Sequence, residues 1–301
     1  MFRKGFNIFL FSNSLYGLAA VLLAIEHNLL CGLPLNNPLF YIILFCGTTA
    51  FYLYSYQYDQ HPHKGNRRAK WISQHAASLL VFRNVLTLVT LTGGIWYFIS
   101  LPTVPLALLV KKLLLLSIFP LLGLLYYGIS FPGLLKLKLR QFGWFKPFTI
   151  GSVWAGCVSV MPWILVQWEQ YPLHEGAIWH GFLWLHNWMF ITVLCILFDI
   201  KDYAADHNQQ LKTFVVRVGL RKVIFSIVWP LVLLGSVTFF AFMLLRNFST
   251  TAIVLNILPM LMLLLVAQSM QQRRSIEYFL LVIDGLMVVK SVLGIASTLV
   301  T

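Results

Sequence analysis

Apolar residues run in long blocks along this chain, and polar residues collect between the blocks. Nine blocks stand out, at about 6–25, 38–56, 78–100, 107–129, 148–167, 178–198, 223–244, 252–270 and 278–299. A helix of about 20 apolar residues crosses the hydrocarbon core of a bilayer. The blocks therefore predict an all-α, polytopic membrane protein in which residues 1–301 form one domain of nine transmembrane helices around a central cavity. Polar residues inside those helices are expected to face the cavity, because lipid cannot satisfy them. Pro120, Pro162, Pro230 and Pro259 fall inside or beside the blocks and predict kinks rather than helix ends. The first block resembles a signal peptide in composition, yet it is long enough to span and eight more follow, so it is read as helix one.

The connecting segments are short on one side. On the other, three are longer, at about 57–77, 130–147 and 199–222. The first and third stand four helices apart. Each follows an apolar block ending in aromatic and acidic residues, and each is rich in Lys and Arg. That pattern suggests two four-helix halves and an extra helix, with the two long loops facing each other over one cavity.

Composition agrees with a membrane location. Hydrophobic residues make up 59% of the chain and charged residues 10%, against roughly 25% charged in soluble domains. The net charge of +13 raises nucleic acid as a partner, but the placement of the charge argues against it. With the N-terminus inside, 17 of the 22 Lys and Arg residues fall in inner segments and three in outer ones. This asymmetry is the positive-inside signal and predicts a cytoplasmic N-terminus. Cys46, Cys157 and Cys195 fall within blocks and Cys31 in a short outer loop, so they read as small apolar residues rather than as disulfides or a zinc site. The eight histidines are irregularly spaced and read as interfacial or hydrogen-bonded groups.

Candidate chemistry is concentrated after the sixth block. Asp199, Asp202 and Asp206 are three of only nine acidic residues in the chain. Spacings of three and four place them on one helical face, where like charges repel and desolvation beside lipid is costly. A divalent cation removes both penalties, and Mg²⁺ gripping a diphosphate is the simplest chemistry that needs the arrangement.

The run DIKDYAADHNQQLKTFVVRVG, from Asp199 to Gly219, resembles the second aspartate-rich motif of the UbiA superfamily of membrane prenyltransferases. Asp199, Asp202, Asp206, Lys212, Thr213, Arg217 and Gly219 follow that motif in order and spacing. In LRQFGWFKPFTIGSVWAG, Arg140, Lys146 and Trp154 resemble the start of the family's fifth helix. The resemblance implies transfer of a prenyl group from a prenyl diphosphate to an aromatic or quinone-type acceptor, dependent on Mg²⁺, in a membrane such as the bacterial inner membrane. Two aspartate motifs would hold the metal, nearby Lys and Arg would take up the charge of the leaving group, and an apolar tunnel would exclude water from the carbocation. By that analogy the metal and catalytic residues are Asp199, Asp202, Asp206 and Asp59, and the diphosphate contacts are Lys212, Arg217, Arg67 and Arg68.

The first motif departs from the family. FYLYSYQYDQHPHKGNRRAKW keeps one carboxylate, Asp59, on a helical face with Tyr52 and Tyr56, and Pro62 is expected to end the helix. Asn66, Arg67 and Arg68 resemble the family's downstream basic stretch. His61 and His63 are poor substitutes for acids at Mg²⁺, which prefers oxygen. The weakened motif favours an alternative, a catalytically impaired UbiA-like protein that binds lipid or a partner. Arg83, Asp284 and Lys290, charged residues within spans, raise a transporter as a further alternative. Tyr52, Tyr56, Trp184 and Trp188 are candidates to shield a carbocation.

Overall fold

The computed structural model describes residues 8–58, 67–127, 145–169, 176–208, 214–272 and 274–300. Among them the chain is all helical, without strands. The helices are α1 (Ser14–Leu30), α2 (Pro38–Tyr58), α3 (Arg67–Gln74), α4 (Ala76–Ser100), α5 (Leu106–Tyr127), α6 (Lys146–Glu169), α7 (Ala177–Asn208), α8 (Phe214–Val218), α9 (Leu220–Leu245), α10 (Thr250–Ser269) and α11 (Phe279–Ser297). Eight of them, α2, α4 to α7 and α9 to α11, are long and apolar enough to cross a membrane, as expected of a polytopic membrane protein.

The ninth expected span, 6–25, takes a different form. Asn13 adopts a left-handed φ of +63° and breaks the helix, so α1 begins at Ser14 and has 17 residues. Asn tolerates this conformation better than other residues with a Cβ. Arg68 of α3 donates to Asn13 Oδ1, and both residues are buried. That bond satisfies the carbonyl of the turn residue.

The chain divides into two compact units, residues 1–22 with 35–103 and residues 23–34 with 104–301. The division does not follow the expected four-helix halves, since it cuts through α1 and falls after α4. In the first unit α2 packs along α4. Only 11% of the α4 span is buried, and Val81, Val85, Leu88, Ile95 and Ile99 form an exposed apolar stripe at helical spacing. A stripe of that length suits lipid as its surroundings.

In the second unit the central element is α7, with 61% of its span buried, packed against α6 and α9. Three helices carry π-helical turns, at Gly156–Val160, Ile224–Val228 and Phe279–Ile283. Two stand just before Pro162 and Pro230, whose missing N–H and bulky ring disturb the bonds of the preceding turn. The expected kinks at these prolines thus take the form of local widening. Pro120 and Pro259 lie inside α5 and α10.

One ion pair lies deep in this unit. Lys290 of α11 donates to both carboxylate oxygens of Glu26 of α1, each at 2.8 Å. The side chains are 4% and 2% exposed. Gly294, one turn beyond Lys290, has no room for a Cβ, which would meet Glu26 Oε1 at 2.3 Å. Removing one member of a buried pair strands the other charge. Lys290→Met is expected to cost about 3–5 kcal/mol, read as a lower unfolding temperature in detergent. Adding Glu26→Gln should restore much of the loss.

Candidate functional site

The aspartate face follows from the length of α7. Its 32 residues span about 48 Å at 1.5 Å per residue, well beyond a hydrocarbon core of about 30 Å. The apolar window closes at Ile200, and the helix continues through Asn208. Asp199 therefore stands at the edge of the slab. Asp202 and Asp206 follow one and two turns further on the same face. Their backbone is helical, and their side chains lie outside the described set.

Asp199 is 3% exposed. Lys146, the first residue of α6, places Nζ 2.5 Å from Asp199 Oδ1. The other oxygen, Oδ2, is buried and has no hydrogen-bond partner among the described residues. A buried carboxylate oxygen without a partner is costly, so this atom is open to a cation or a donor.

The seam between α6 and α7 positions that pair. Asn187 Nδ2 donates to Ser159 Oγ at 3.0 Å. Trp188 Nε1 donates to Ser152 Oγ at 2.9 Å and to the Phe148 carbonyl at 3.3 Å. Lys146–Asp199 completes the series at one end of the seam. Gly151 permits the close approach, since a Cβ there would fall 2.2 Å from Thr192 Oγ1 and 3.2 Å from the Trp188 carbonyl. Trp184 and Trp188, candidates for cation shielding, stack with ring centroids 6.3 Å apart, and Phe148 lies 6.0 Å from Trp188. The aromatic group therefore belongs to the same seam as Asp199.

The other sequence candidates fall in several places. Arg217 is exposed on α8. Gly219, the end of the Arg-x-Gly element, has φ +87° and ψ 140° between α8 and α9, a conformation that essentially requires glycine. Lys212, Thr213, Arg140, Asp59, His61, His63 and Asn66 lie outside the described residues. Arg67 opens α3, but its side chain is not described. Arg68 is buried at the Asn13 turn. Tyr52 stacks on Tyr16 at 4.3 Å, and Tyr56 is described only as helical backbone. Arg83 lies over the Tyr54 ring at 5.8 Å. Asp284 is buried beside the π-helical turn of α11, and Lys290 is held by Glu26.

A second polar cluster lies near the opposite end of α7, where sequence reading expected only hydrogen-bonded histidines and an apolar cysteine in a loop. His27 of α1 places Nε2 3.1 Å from Nδ1 of His180 of α7. Cys31 Sγ lies 3.4 Å from the same nitrogen. The four-residue spacing of His27 and Cys31 was the available signal, but the partnership with His180 spans more than 140 positions.

Compared with known proteins, the chain matches no protein-family model, no curated protein and no solved structure. The functional reading therefore rests on the residues and on their geometry. Gly151→Val should push α6 from α7 and cost about 1–3 kcal/mol, as overpacking does. The expected readout is a lower unfolding temperature, and an unchanged one would show that the helices do not meet at this glycine.

Proposed function

We propose that the protein is an integral-membrane prenyltransferase, a divergent UbiA-like enzyme that moves a prenyl group from a prenyl diphosphate to an aromatic or quinone-type acceptor with Mg²⁺. The observation that carries this reading is the unpartnered, buried Oδ2 of Asp199, on a helical face shared with Asp202 and Asp206. The order of Lys212, Thr213, Arg217 and Gly219 after that face supports it.

The residues present fit a magnesium ion. The donors are carboxylate oxygens, which Mg²⁺ prefers, and one is buried and without a hydrogen bond among the described residues. Asp199, Asp202 and Asp206 would hold the ion, with Asp59 as the remaining acid of the first motif. When bound, the ion offsets the negative charge that builds on the departing diphosphate. Lys212, Arg217 and Arg67 are assigned to the diphosphate oxygens. Lys146 orients Asp199 through the contact at Oδ1. Trp184 and Trp188 present aromatic faces suited to a developing allylic cation. The apolar lining keeps water from that cation. The Lys and Arg asymmetry favours a cytoplasmic N-terminus and a cytoplasmic aspartate face, and the compact loops suit a bacterial inner membrane.

A second reading has its own support. Lys146 already neutralises Asp199, so the buried carboxylate is tolerable without a metal, and the first motif keeps a single acid. Both features suit a protein that binds a prenyl lipid without turning it over. Purified protein incubated with labelled prenyl diphosphates, Mg²⁺ and a lipid extract separates the two readings by mass spectrometry of the products. Transfer is expected with the native chain and is expected to vanish with Asp202→Asn. Undiminished product from that variant removes the metal role. Calorimetric binding of a prenyl diphosphate analogue without product from any acceptor supports the second reading.

A further inference from the structure

The structure assigns a second metal site, independent of the aspartate face. We propose that His27, Cys31 and His180 bind one thiophilic d¹⁰ ion, Cu⁺ or Zn²⁺. Among the described residues these three are the one group of His, Cys and acidic side chains whose ligand atoms converge, all within 4.8 Å of one another.

Local structure builds the site. His27 and Cys31 are four apart at the end of α1, so they share a helical face. The Cys31 amide still donates to the His27 carbonyl at 3.1 Å. Beyond it the helix closes with paired bonds, Leu33 N–H to Asn28 O at 2.8 Å and Gly32 N–H to Leu29 O at 3.0 Å. Gly32 takes φ +72°, the left-handed cap of a Schellman motif. The cap fixes Cys31 in place, and Arg246 Nη2 adds a bond to the Cys31 carbonyl at 3.0 Å. His180 comes from the second turn of α7, with Trp163 stacked on its ring at 4.5 Å.

The donor spacing matches a coordination polyhedron. Zn–N bonds near 2.0–2.1 Å and Zn–S near 2.3 Å give tetrahedral edges of about 3.3 Å between nitrogens and about 3.6 Å between nitrogen and sulfur. The two edges from His180 Nδ1 measure 3.1 Å and 3.4 Å, and the third, between His27 and Cys31, lies within 4.8 Å. Hydrogen bonding alone serves the trio poorly. A neutral imidazole nitrogen has either one proton or one lone pair in its plane, yet His180 Nδ1 faces two neighbours. Among the described residues His27 Nδ1 and His180 Nε2 are buried without a hydrogen-bond partner; the inner hydrogen bond leaves one outer N–H unsatisfied and a bound ion leaves both, a cost that the metal–ligand bonds must offset. A central ion takes all three inner lone pairs.

The chemistry of the set narrows the ion. Thiolate and imidazole select copper and zinc over magnesium or calcium. With Cys31 ionised, Cu⁺ leaves the buried cluster neutral, whereas Zn²⁺ leaves one positive charge with Arg246 nearby, so burial favours Cu⁺. Three protein ligands leave a position open, as in exchangeable or reactive sites rather than closed structural ones. The outer ring nitrogens lack the hydrogen-bond partners that buttress a metal-bound imidazole, which weakens the hold by roughly 10–100-fold. A groove of about 660 Å³ is lined by chain neighbours of the ligands, among them Leu30, Gly32 and Trp179, and by Arg246. The site is 19 residues of α7 away from Asp199, about 28 Å along the helix, and neither needs the other.

Equilibrium dialysis of the full chain in detergent, once with Cu⁺ and once with Zn²⁺, tests the assignment. One equivalent of ion is expected, held at least tenfold more weakly by Cys31→Ser and unaffected by Cys46→Ser. X-ray absorption on the native protein needs no variant and is expected to show one sulfur and two imidazole nitrogens around the ion. Failure of both ions to bind at one per chain overturns the assignment. So does binding unchanged by Cys31→Ser, or a metal environment without sulfur.

Discussion

A charge inside hydrocarbon must have a partner, and that constraint organises the second unit of this protein. Removing an ion from water costs several kcal/mol even after relaxation, and only a well-placed opposite charge with hydrogen bonds offsets it. Glu26 and Lys290 meet this condition between α1 and α11, with two short bonds and almost no exposure. Asp199 and Lys146 meet it between α7 and α6. The two pairs differ in what they leave over. Both oxygens of Glu26 are bound by Lys290, whereas Asp199 keeps one buried oxygen without a partner among the described residues. The first pair is a closed structural clasp. The second leaves one carboxylate oxygen over.

The central helix sets where that difference lies. Because α7 outruns the slab, it carries an apolar span, then an acid at the edge, then two further acids beyond it. Close packing at Gly151 lets the start of α6 deliver a lysine to the first acid. Near its other end the same helix contributes His180 to a buried nitrogen and sulfur cluster. Oxygen donors at one end and soft donors at the other call for different ions. One helix thus carries two separate donor sets, one at each end.

Much of the architecture was legible in the pattern of apolar blocks. Eight of nine expected spans correspond to helices long enough to cross a membrane. The exception is instructive. Block 6–25 is mostly apolar, but a polar run at Ser12–Ser14 interrupts it, Asn13 turns the backbone left-handed, and α1 continues past Glu26 into a segment that composition alone marks as its end. Glu26 is tolerable there only because Lys290 lies opposite, 264 positions along the chain, and no local pattern announces such a partner. The aspartate face was legible because its three residues lie on one helix. The Lys146 contact was half legible, since the lysine stood out in its own segment but not as a partner of Asp199. The histidine and cysteine cluster was not legible as a unit, because His180 reaches it from another helix. The glycine of the Arg-x-Gly element gains a physical reason, since its φ of +87° excludes side chains.

The most direct measurement of the pairing constraint is a double-mutant cycle on Lys146 and Asp199, using Lys146→Met, Asp199→Asn and the double variant, read by unfolding in detergent. Contacting residues of one network couple by about 0.5–3 kcal/mol. The account expects coupling in that range, with the double variant more stable than the sum of the single losses allows. Strictly additive losses would contradict it, since they would mean that the carboxylate at the end of the α7 span stands without the lysine.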